Sequence, residues 1–220
     1  TQDSSSAASD VYKRQIEFNA HPFLLYETLR KINPSPYMYY IKFSDFFIVG
    51  SSPETLVKVE KNKVTIKPIA GTRLKEKGKE EEIKEDLLSD PKELAEHLML
   101  LDLGRNDVGR VSKVGSINVK ESFQIQETSH LYHIYSTVEG DLNPEEDRIS
   151  ALCAGFPAGT VTGAPKIRAM EIINEIEDRK RGIYSGAIGY FSSSGDMDTA
   201  IALRTAVIKD NKMYVQAGGG

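Results

Sequence analysis

The chain has 220 residues, of which 40% are hydrophobic and 27% charged, with a formal net charge of -4. This is enough apolar material for one sizeable core, and the charge, mixed in sign without a basic stripe, argues against nucleic acid as a partner. No apolar run is long enough to cross a bilayer, and a single cysteine, Cys153, excludes an internal disulfide and predicts a reducing, cytoplasmic compartment.

The first fifteen residues differ from the rest. They are rich in Ser, Ala and Asp, show no hydrophobic periodicity and lack the apolar centre of a signal peptide. We predict that residues 1–15 are disordered or foreign to the protein, and that residues 16–220 form one domain.

The next segments alternate between helix and strand. Residues 22–30 have helical spacing and end at Asn33-Pro34-Ser35-Pro36. Strands are predicted over 37–43 and 45–51, and a hairpin over 56–60 and 63–67 around Lys61-Asn62. Residues 75–86 are almost all charged, which predicts a solvated surface segment or mobile loop.

A well-marked helix follows. Asp90 suits the N-cap, Pro91 the first turn and Glu93 a capping box, and the helix should reach about Leu103. Further strands are predicted over 116–119 and 130–138, a second helix after Gly163, and a terminal meander over 185–192, 199–208 and 213–217. This mixture of helices and antiparallel hairpins predicts an α+β fold.

Two carboxylates stand three residues apart on the first of these helices. Glu93 and Glu96 therefore share a face, and oxygen ligands suit a hard cation such as Mg²⁺. A capping box alone would explain Glu93 about equally well. The neighbouring His97 and Leu98 predict a partly buried setting for Glu96.

A glycine-rich loop runs from Gly155 to Lys166 into the second helix, with Thr162 placed to cap it. Free backbone N–H groups and the helix dipole favour an anion at such a junction. The spacing is not that of a P-loop, so the expected guest is a carboxylate.

Three further features suit a small acidic ligand. Alternation places Arg204 among Ala200, Ala202 and Ala206 on one face of a strand, where its guanidinium can bind a carboxylate, although a salt bridge alone is the more frequent explanation. The glycines Gly218, Gly219 and Gly220 offer bare backbone. His133 lies mid-strand, where a structural histidine is more common than a base. The residues alone indicate metal-assisted chemistry on a di-acid.

Several motifs resemble the chorismate-utilising enzymes. They include Ser52-Pro53-Glu54, Pro68 to Arg73, Glu93 to His97, Asp102 to Asp107, Gly159 to Lys166 and Gln216 to Gly220. The resemblance covers residues 21–220 in order. It implies the chorismate-utilising fold in incomplete form.

Ala70 separates the branches of that family. Aminodeoxychorismate synthases place a nucleophilic lysine there, whereas the Pro-Ile-Ala-Gly-Thr pattern of this chain resembles anthranilate synthases, in which ammonia attacks. The resemblance thus implies Mg²⁺-dependent amination of chorismate at C2, loss of the 4-hydroxyl and pyruvate elimination to anthranilate. Aminodeoxychorismate synthesis and a catalytically inactive chorismate-binding relative remain the alternatives.

The resemblance also implies roles for individual residues. Glu54 would protonate the leaving hydroxyl, His133 would serve pyruvate elimination and Thr160 would position ammonia or the ring. The metal residues would be Glu96, directly, and Glu93, largely through water. The substrate-binding residues would be Gly71, Thr72, Tyr184, Arg204, Gly218, Gly219 and Gly220.

Partners follow from the same resemblance. A glutamine amidotransferase subunit would deliver ammonia, and tryptophan would act as feedback inhibitor at a pocket that includes Asn33, Pro34, Ser35, Pro36, Tyr37 and Met38. The family has residues before His21 and, after Gly220, a helix with a second metal-binding glutamate. We therefore expect the 220-residue chain to be inactive by itself.

Overall fold

The computed structural model describes residues 11–218 and consists of two antiparallel sheets with helices packed on them. In chain order the elements are β1 (Val11–Glu17), α1 (Pro22–Ile32), β2 (Tyr37–Lys42), β3 (Phe47–Ser52), β4 (Thr55–Glu60), β5 (Lys63–Ile66), β6 (Ile69–Leu74), α2 (Glu80–Ser89), α3 (Pro91–Gly109), β7 (Asn118–Glu127), β8 (Leu131–Asp141), α4 (Arg148–Gly155), α5 (Gly159–Thr162), α6 (Lys166–Ile176), β9 (Ala187–Phe191), β10 (Met197–Ile201), β11 (Thr205–Lys209) and β12 (Lys212–Gly218). The predicted α+β class is confirmed.

The strands divide into a five-stranded and a seven-stranded sheet. The order in the first is β1-β12-β11-β3-β2, and in the second β6-β8-β5-β4-β10-β9, with β7 paired to the other edge of β8. Helix α1 packs on β2 and β3, whereas α3 packs on β5, β6 and β8 of the larger sheet.

The main hydrophobic core lies between the larger sheet and its helices. Its strand residues include Val57, Val59 and Val138, and its helix residues include Leu101 and Val108. All five are buried. Because β-branched valines pack well on a pleated surface, this face of the sheet forms a continuous apolar floor for α3 and α4.

The two sheets are joined where neighbouring strands cross from one to the other. β3 leaves the smaller sheet and enters the larger as β4 through Pro53 and Glu54, and β10 makes the reverse passage into β11 through residues 202–204. The crossings lie side by side, since the Ile201 N–H donates to the Glu54 carbonyl at 3.1 Å and the Ser51 N–H to the Arg204 carbonyl at 3.2 Å.

Several predicted elements are confirmed. Helix α1 begins at the predicted Pro22, and β4 and β5 form the hairpin around Lys61 and Asn62, whose φ angles are 51° and 59°. Asp90 caps α3 by accepting from the Lys92 and Glu93 backbone N–H groups. These signals are local, so the sequence alone was sufficient to place them.

Other predictions were wrong in extent. The charged stretch 75–86 includes the start of helix α2, which buries Leu87 although most of its surface is solvated. Residues 11–15 lie in β1, which pairs with β12 by backbone hydrogen bonds that need no apolar side chains. The prediction for residues 1–10 lies outside the described residues.

The predicted strand 199–208 is two strands in two sheets. Ala200 lies in β10 of the larger sheet, Ala206 in β11 of the smaller one, and Arg204 between them has φ 46°. A left-handed residue interrupts the strand, so the alternation that placed Arg204 on a face of alanines does not apply. The three alanines 200, 202 and 206 are buried, whereas Arg204 is exposed.

Two more elements were underestimated. Helix α3 continues to Gly109, and β7 extends to Glu127. Helix α4 was not predicted, although Asp147 caps it by accepting from the Ser150 N–H at 2.8 Å. Within residues 11–218, no helix is both long and apolar enough to cross a membrane.

A substitution in the turn at Lys61-Asn62 tests whether the chain has the left-handed conformation described there. Asn62 is exposed and left-handed, a conformation that glycine adopts freely and a β-branched residue adopts at a cost of about 1–2 kcal/mol. We expect Asn62→Val to lower the free energy of unfolding by roughly that amount and Asn62→Gly to leave it within about 0.5 kcal/mol in urea titrations. Equal midpoints for the two variants would contradict the assigned turn.

Candidate active site

Glu54 occupies the first crossing between the sheets and is buried, with 7% of its surface exposed. Burial raises the pKa of its carboxyl to about 8, while the Thr160 side chain and a hydrogen bond from the Ile69 backbone lower the pKa by less. No ion pair or charge contributes to this pKa. Glu54 is therefore a carboxylic acid that keeps its proton at neutral pH, as a general acid requires.

A small cavity adjoins Glu54. Its volume is about 30 Å³, enough for one water-sized molecule, and its lining includes Glu54, Asp107, Gly155, Gly159 and Thr160. Thr160 Oγ1 is buried and completes no hydrogen bond of normal geometry, although it is near enough to the Glu54 carboxyl to affect its pKa. The structure thus brings together the predicted acid and the predicted threonine.

His133 lies on β8, and its Nδ1 is 3.1 Å from both the Gly71 carbonyl oxygen and Thr72 Oγ1. Because a carbonyl can only accept, Nδ1 carries the proton and Nε2 keeps a lone pair that can act as a base. Burial, and secondly the charge of Arg204, lower the pKa of His133, whereas the Gly71 contact raises it.

The pairing of Gly71 and Thr72 with His133 depends on an irregularity in β6. The register of β6 against β8 shifts between Ala70 and Arg73, and Gly71 has φ 70°. A side chain at Gly71 would be strained and would lie within 3.3 Å of Glu93 and Ile134. The bulge therefore turns the Gly71 carbonyl toward His133, and only glycine fits at this crowded, left-handed position.

Arg204 lies at the second crossing, near His133. Arg204 is exposed to solvent on one side, yet the atoms around its guanidinium desolvate it in part and lower its pKa, and within residues 11–218 it has no carboxylate partner. A partly desolvated cation without a counter-ion attracts an anion. The salt bridge considered as the simpler explanation is absent from the described part of the chain, which leaves the guanidinium available to an acidic ligand.

Glu93 does not complete the predicted capping box. Its Oε1 accepts from Arg73 at 3.0 Å, and the same guanidinium binds Asp86 and Asp90, each at 2.7 Å. These bonds raise the pKa of Arg73. The guanidinium outcompetes a backbone N–H for the carboxylate because a charged donor binds more strongly.

Glu96 is exposed, and Leu98 is 55% exposed, so the expected partly buried setting was wrong. Glu93 Oε2 faces the space above Gly71, one helical turn from Glu96. Mg²⁺ commonly takes one or two carboxylates and several waters, and here the exposed Glu96 carboxylate and Glu93 Oε2 are the available oxygen donors, since Glu93 Oε1 is bound to Arg73. In residues 11–218 no group of three or more metal-ligating side chains occurs.

Residues 155–166 differ from the predicted capped helix. Thr162 lies in α5 and its Oγ1 donates to the Ala158 carbonyl at 3.0 Å, while α6 begins after Pro165 without a side-chain cap. Lys166 Nζ binds Asp107 at 2.7 Å and the Gly155 carbonyl at 3.2 Å. Thr162 turns inward because a four-residue helix leaves its hydroxyl beside the preceding carbonyl.

The remaining predicted ligand residues are less closely gathered. Tyr184 is half-buried, with the Arg181 guanidinium 5.8 Å from its ring, and the next residue, Ser185, donates its N–H to the Ala202 carbonyl. That bond places Tyr184 near the second crossing. Gly218 is exposed opposite Val11, and Gly219 and Gly220 lie outside the described residues.

The predicted effector residues 33–38 connect α1 to β2. The Asn33 carbonyl accepts from Ser51 at 2.8 Å, and the Tyr37 hydroxyl donates to Asp198 at 2.9 Å and lies 2.8 Å from Thr55 Oγ1. Burial raises the pKa of Tyr37 to about 12. Pro34 and Pro36 are exposed, and the segment borders the crossings through Ser51.

The sequence did not predict three groups that contact the candidate site residues: Arg73, Asp107 and the Ile69 backbone. Arg73 and Asp107 lie within the motifs that resemble the family, but their partners are 13 to 59 residues away in the chain. An isolated charge gives no signal for a distant partner. Only the fold shows that Arg73 joins β6 to two helices and that Asp107 meets Lys166.

Comparisons with known proteins agree on one family. The family model described as chorismate binding enzyme matches residues 11–220. The chain is 57% identical over 206 residues to anthranilate synthase component 1 of Cereibacter sphaeroides, with 93% of this chain and 41% of the relative covered. It is 57% identical over 210 residues to the protein of that name in Pseudomonas putida, with 94% and 43% covered.

Solved structures give the same result for the fold. Anthranilate synthase component I of Streptococcus pneumoniae superposes with a TM-score of 0.89 at 48% identity, over 95% of this chain and 46% of that one. The menaquinone-specific isochorismate synthase of Escherichia coli superposes with a TM-score of 0.85 at 22% identity, over 96% and 50%, which shows a shared fold alone. The chain spans less than half the length of the Cereibacter and Pseudomonas relatives.

The buried carboxyl of Glu54 makes stability depend on pH. Its pKa is about 8 in the folded protein against 4.5 for an unperturbed carboxyl, so between these values the folded state holds a proton that the unfolded state has lost. The free energy of unfolding therefore falls as pH rises from 4.5 to 8. We expect Glu54→Gln to remove this decline, with a melting-temperature gain over the parent that grows toward pH 8.

The matched control is Glu60→Gln on β4, whose side chain is 58% exposed. It should leave the pH dependence of the melting temperature as in the parent. A parallel pH dependence in Glu54→Gln and the parent would show that Glu54 is not the protonated group.

Proposed function

Because the chain belongs to the chorismate-binding enzymes, we propose that it forms the catalytic part of an anthranilate synthase component 1. In this reaction ammonia adds to C2 of chorismate, the 4-hydroxyl leaves as water, and pyruvate is eliminated to give anthranilate. The observation that carries the proposal is Glu54, a buried acid with a pKa of about 8 beside a cavity the size of one small molecule. Relatives of that name share 54–57% identity with the chain.

Glu54 would supply the proton that the leaving hydroxyl needs. At neutral pH the carboxyl is protonated, and its high pKa comes from burial alone, so it can donate without first recruiting a partner. After hydroxide leaves as water, the resulting carboxylate is stabilised by the Ile69 backbone and Thr160. Thr160, whose hydroxyl lies on the same cavity and completes no hydrogen bond of normal geometry, would position the attacking ammonia.

His133 would act at the second stage. With Nδ1 bound to the Gly71 carbonyl, Nε2 is free to take the C2 proton as pyruvate leaves and the ring becomes aromatic. Partial burial, with a smaller contribution from the adjacent charge of Arg204, keeps the pKa of His133 low, which keeps the ring neutral and able to accept.

Chorismate is a di-acid, and two parts of the site suit its carboxylates. Arg204, with Tyr184 and the backbone at Gly218 to Gly220, would hold the enolpyruvyl carboxylate, whereas Gly71 and Thr72 would face the ring carboxylate. Bound Mg²⁺ would neutralise the ring carboxylate as a Lewis acid. Glu96 would hold it, with Glu93 Oε2 as a supporting carboxylate.

The partners belong to the same proposal. The name component 1 of the relatives implies a second component, and a glutamine amidotransferase is the source of ammonia that this chemistry requires. Tryptophan would bind at residues 33–38, whose contact with Ser51 gives it a route to the crossing that carries Glu54. The cytoplasm would be the site of this activity.

The direct test uses the full-length protein that carries this chain. We expect fluorescent anthranilate to accumulate from chorismate, Mg²⁺ and ammonium. Formation of 4-amino-4-deoxychorismate instead would favour the alternative enzyme, and chorismate binding without turnover would favour a non-catalytic relative.

A variant at Ala70 tests the branch assignment. Ala70 is 9% exposed on β6 beside Gly71, so a lysine there would put an amine at the ring-carboxylate side of the site. We expect Ala70→Lys to lower the anthranilate fraction among the aminated products, because the amine competes with ammonia for the ring. Chromatography of the products measures this.

Ala70→Met is the control, since it adds comparable bulk without a nucleophile. It should slow the reaction without altering the ratio of products. An unchanged anthranilate yield in Ala70→Lys would contradict the role assigned to this position.

A further inference from the structure

The buried ion pair between Asp107 and Lys166 joins three helices. Asp107 lies near the end of α3, Lys166 is the first residue of α6, and Lys166 Nζ also binds the carbonyl of Gly155, the last residue of α4. One ammonium group therefore fixes the ends of α3 and α4 and the start of α6. The segment 156–165 between α4 and α6 carries Thr160.

The side chains of the pair are 8% and 10% exposed, and burial raises the pKa of Asp107 despite the nearby charges of Lys166 and Arg110. Taking two charges out of water offsets much of their attraction, so a buried pair of this kind adds little stability compared with apolar residues of similar size. Its stronger effect is geometric, because it fixes where the two helices meet.

The same pair borders the site of Glu54. Asp107 and Gly155 line the cavity of about 30 Å³ together with Glu54 and Thr160. Gly159, which lines the same cavity, packs so closely on α3 that a Cβ atom there would lie 2.3 Å from Leu103 Cδ2. The position of the cavity wall therefore depends on how α3 meets the segment 156–165.

Thr160 cannot orient itself. Its Oγ1 is buried and completes no hydrogen bond of normal geometry, and its one polar neighbour of consequence is the Glu54 carboxyl, so the direction of the hydroxyl depends mainly on the backbone of α5. The backbone of this four-residue helix is in turn held at its two flanks, where Lys166 binds Gly155 and Asp107.

We propose that Asp107 and Lys166 are positioning residues for the Glu54–Thr160 site, and that their ion pair holds the cavity wall, residues 156–165, against α3. This inference rests on the proposed role of Glu54 as the acid. The pair touches neither substrate nor metal in this scheme. It acts by keeping water out of the cavity and the Thr160 hydroxyl next to the Glu54 carboxyl.

The test replaces both charges in the full-length protein, because a single replacement would leave an unpaired buried charge and destabilise the fold. In Asp107→Leu/Lys166→Met we expect a melting temperature close to the parent, a kcat for anthranilate formation lower by about 10- to 100-fold, and a KM for chorismate changed by less than about threefold. The alkaline limb of the kcat profile should move to lower pH as water reaches Glu54.

A second readout does not need the reaction. Amide hydrogen exchange in residues 156–163 should accelerate in the double variant and remain slow in the parent. Asp102→Asn is the matched control, since Asp102 pairs with Arg105 on the same helix at 2.9 Å but is 66% exposed, and it should leave exchange, kcat and pH profile unchanged.

The outcomes separate the two proposals. A parent protein that makes no anthranilate would refute the proposed function, and the exchange data would then decide the ion pair alone. A double variant with parental kcat, pH profile and exchange would overturn the positioning role. A variant that unfolds would also overturn it, because the pair would then be required for stability rather than for position.

Discussion

Two neighbouring strands change sheet at the same level, and the candidate site is built around that double crossing. Pro53 and Glu54 interrupt one strand, and Arg204, with φ 46°, interrupts the other, while two backbone hydrogen bonds hold the breaks together. Backbone that leaves a sheet normally lies at the surface, but here the larger sheet and its helices enclose Glu54. The fold thereby buries an acid and leaves a basic side chain without an ion-pair partner nearby, which supports the proposed acidic ligand.

Three polar side chains at and beside the crossings lack the ion-pair or hydrogen-bond partners that such groups usually have. Glu54 is buried without a cation, the buried hydroxyl of Thr160 completes no hydrogen bond of normal geometry, and Arg204 has no carboxylate among the described residues. By contrast, three carboxylates surround the guanidinium of Arg73. Uncompensated polar groups cost free energy in the folded protein, and their concentration in one place is typical of a site whose ligand completes them.

Local signals in the sequence were sufficient for the Asp90 cap, the hairpin and most strands, because those structures depend on residues close in the chain. Asp90 and the Lys61-Asn62 turn are examples. The break at Arg204 was not predictable, because its neighbours alternate as in an uninterrupted strand. The strand ends there only because the residues before it pair in the larger sheet and those after it pair in the smaller sheet. Likewise, the sequence predicts that the Glu93 carboxylate completes a capping box, but in the structure it binds the guanidinium of Arg73 on β6. The candidate site residues were predicted from a resemblance to a family, whereas the contacts between them required the fold.

We propose that one acidic substrate lies between the two crossings, where Arg204 binds a carboxylate and Glu54 supplies a proton. The most direct measurement is the Kd of chorismate, with Mg²⁺ and without ammonia, for the full-length parent, Arg204→Met and Glu54→Gln. We predict that Arg204→Met weakens binding by about 10- to 100-fold, the effect of one lost charged hydrogen bond, and that Glu54→Gln binds within about threefold of the parent. Parental affinity in Arg204→Met would contradict the account.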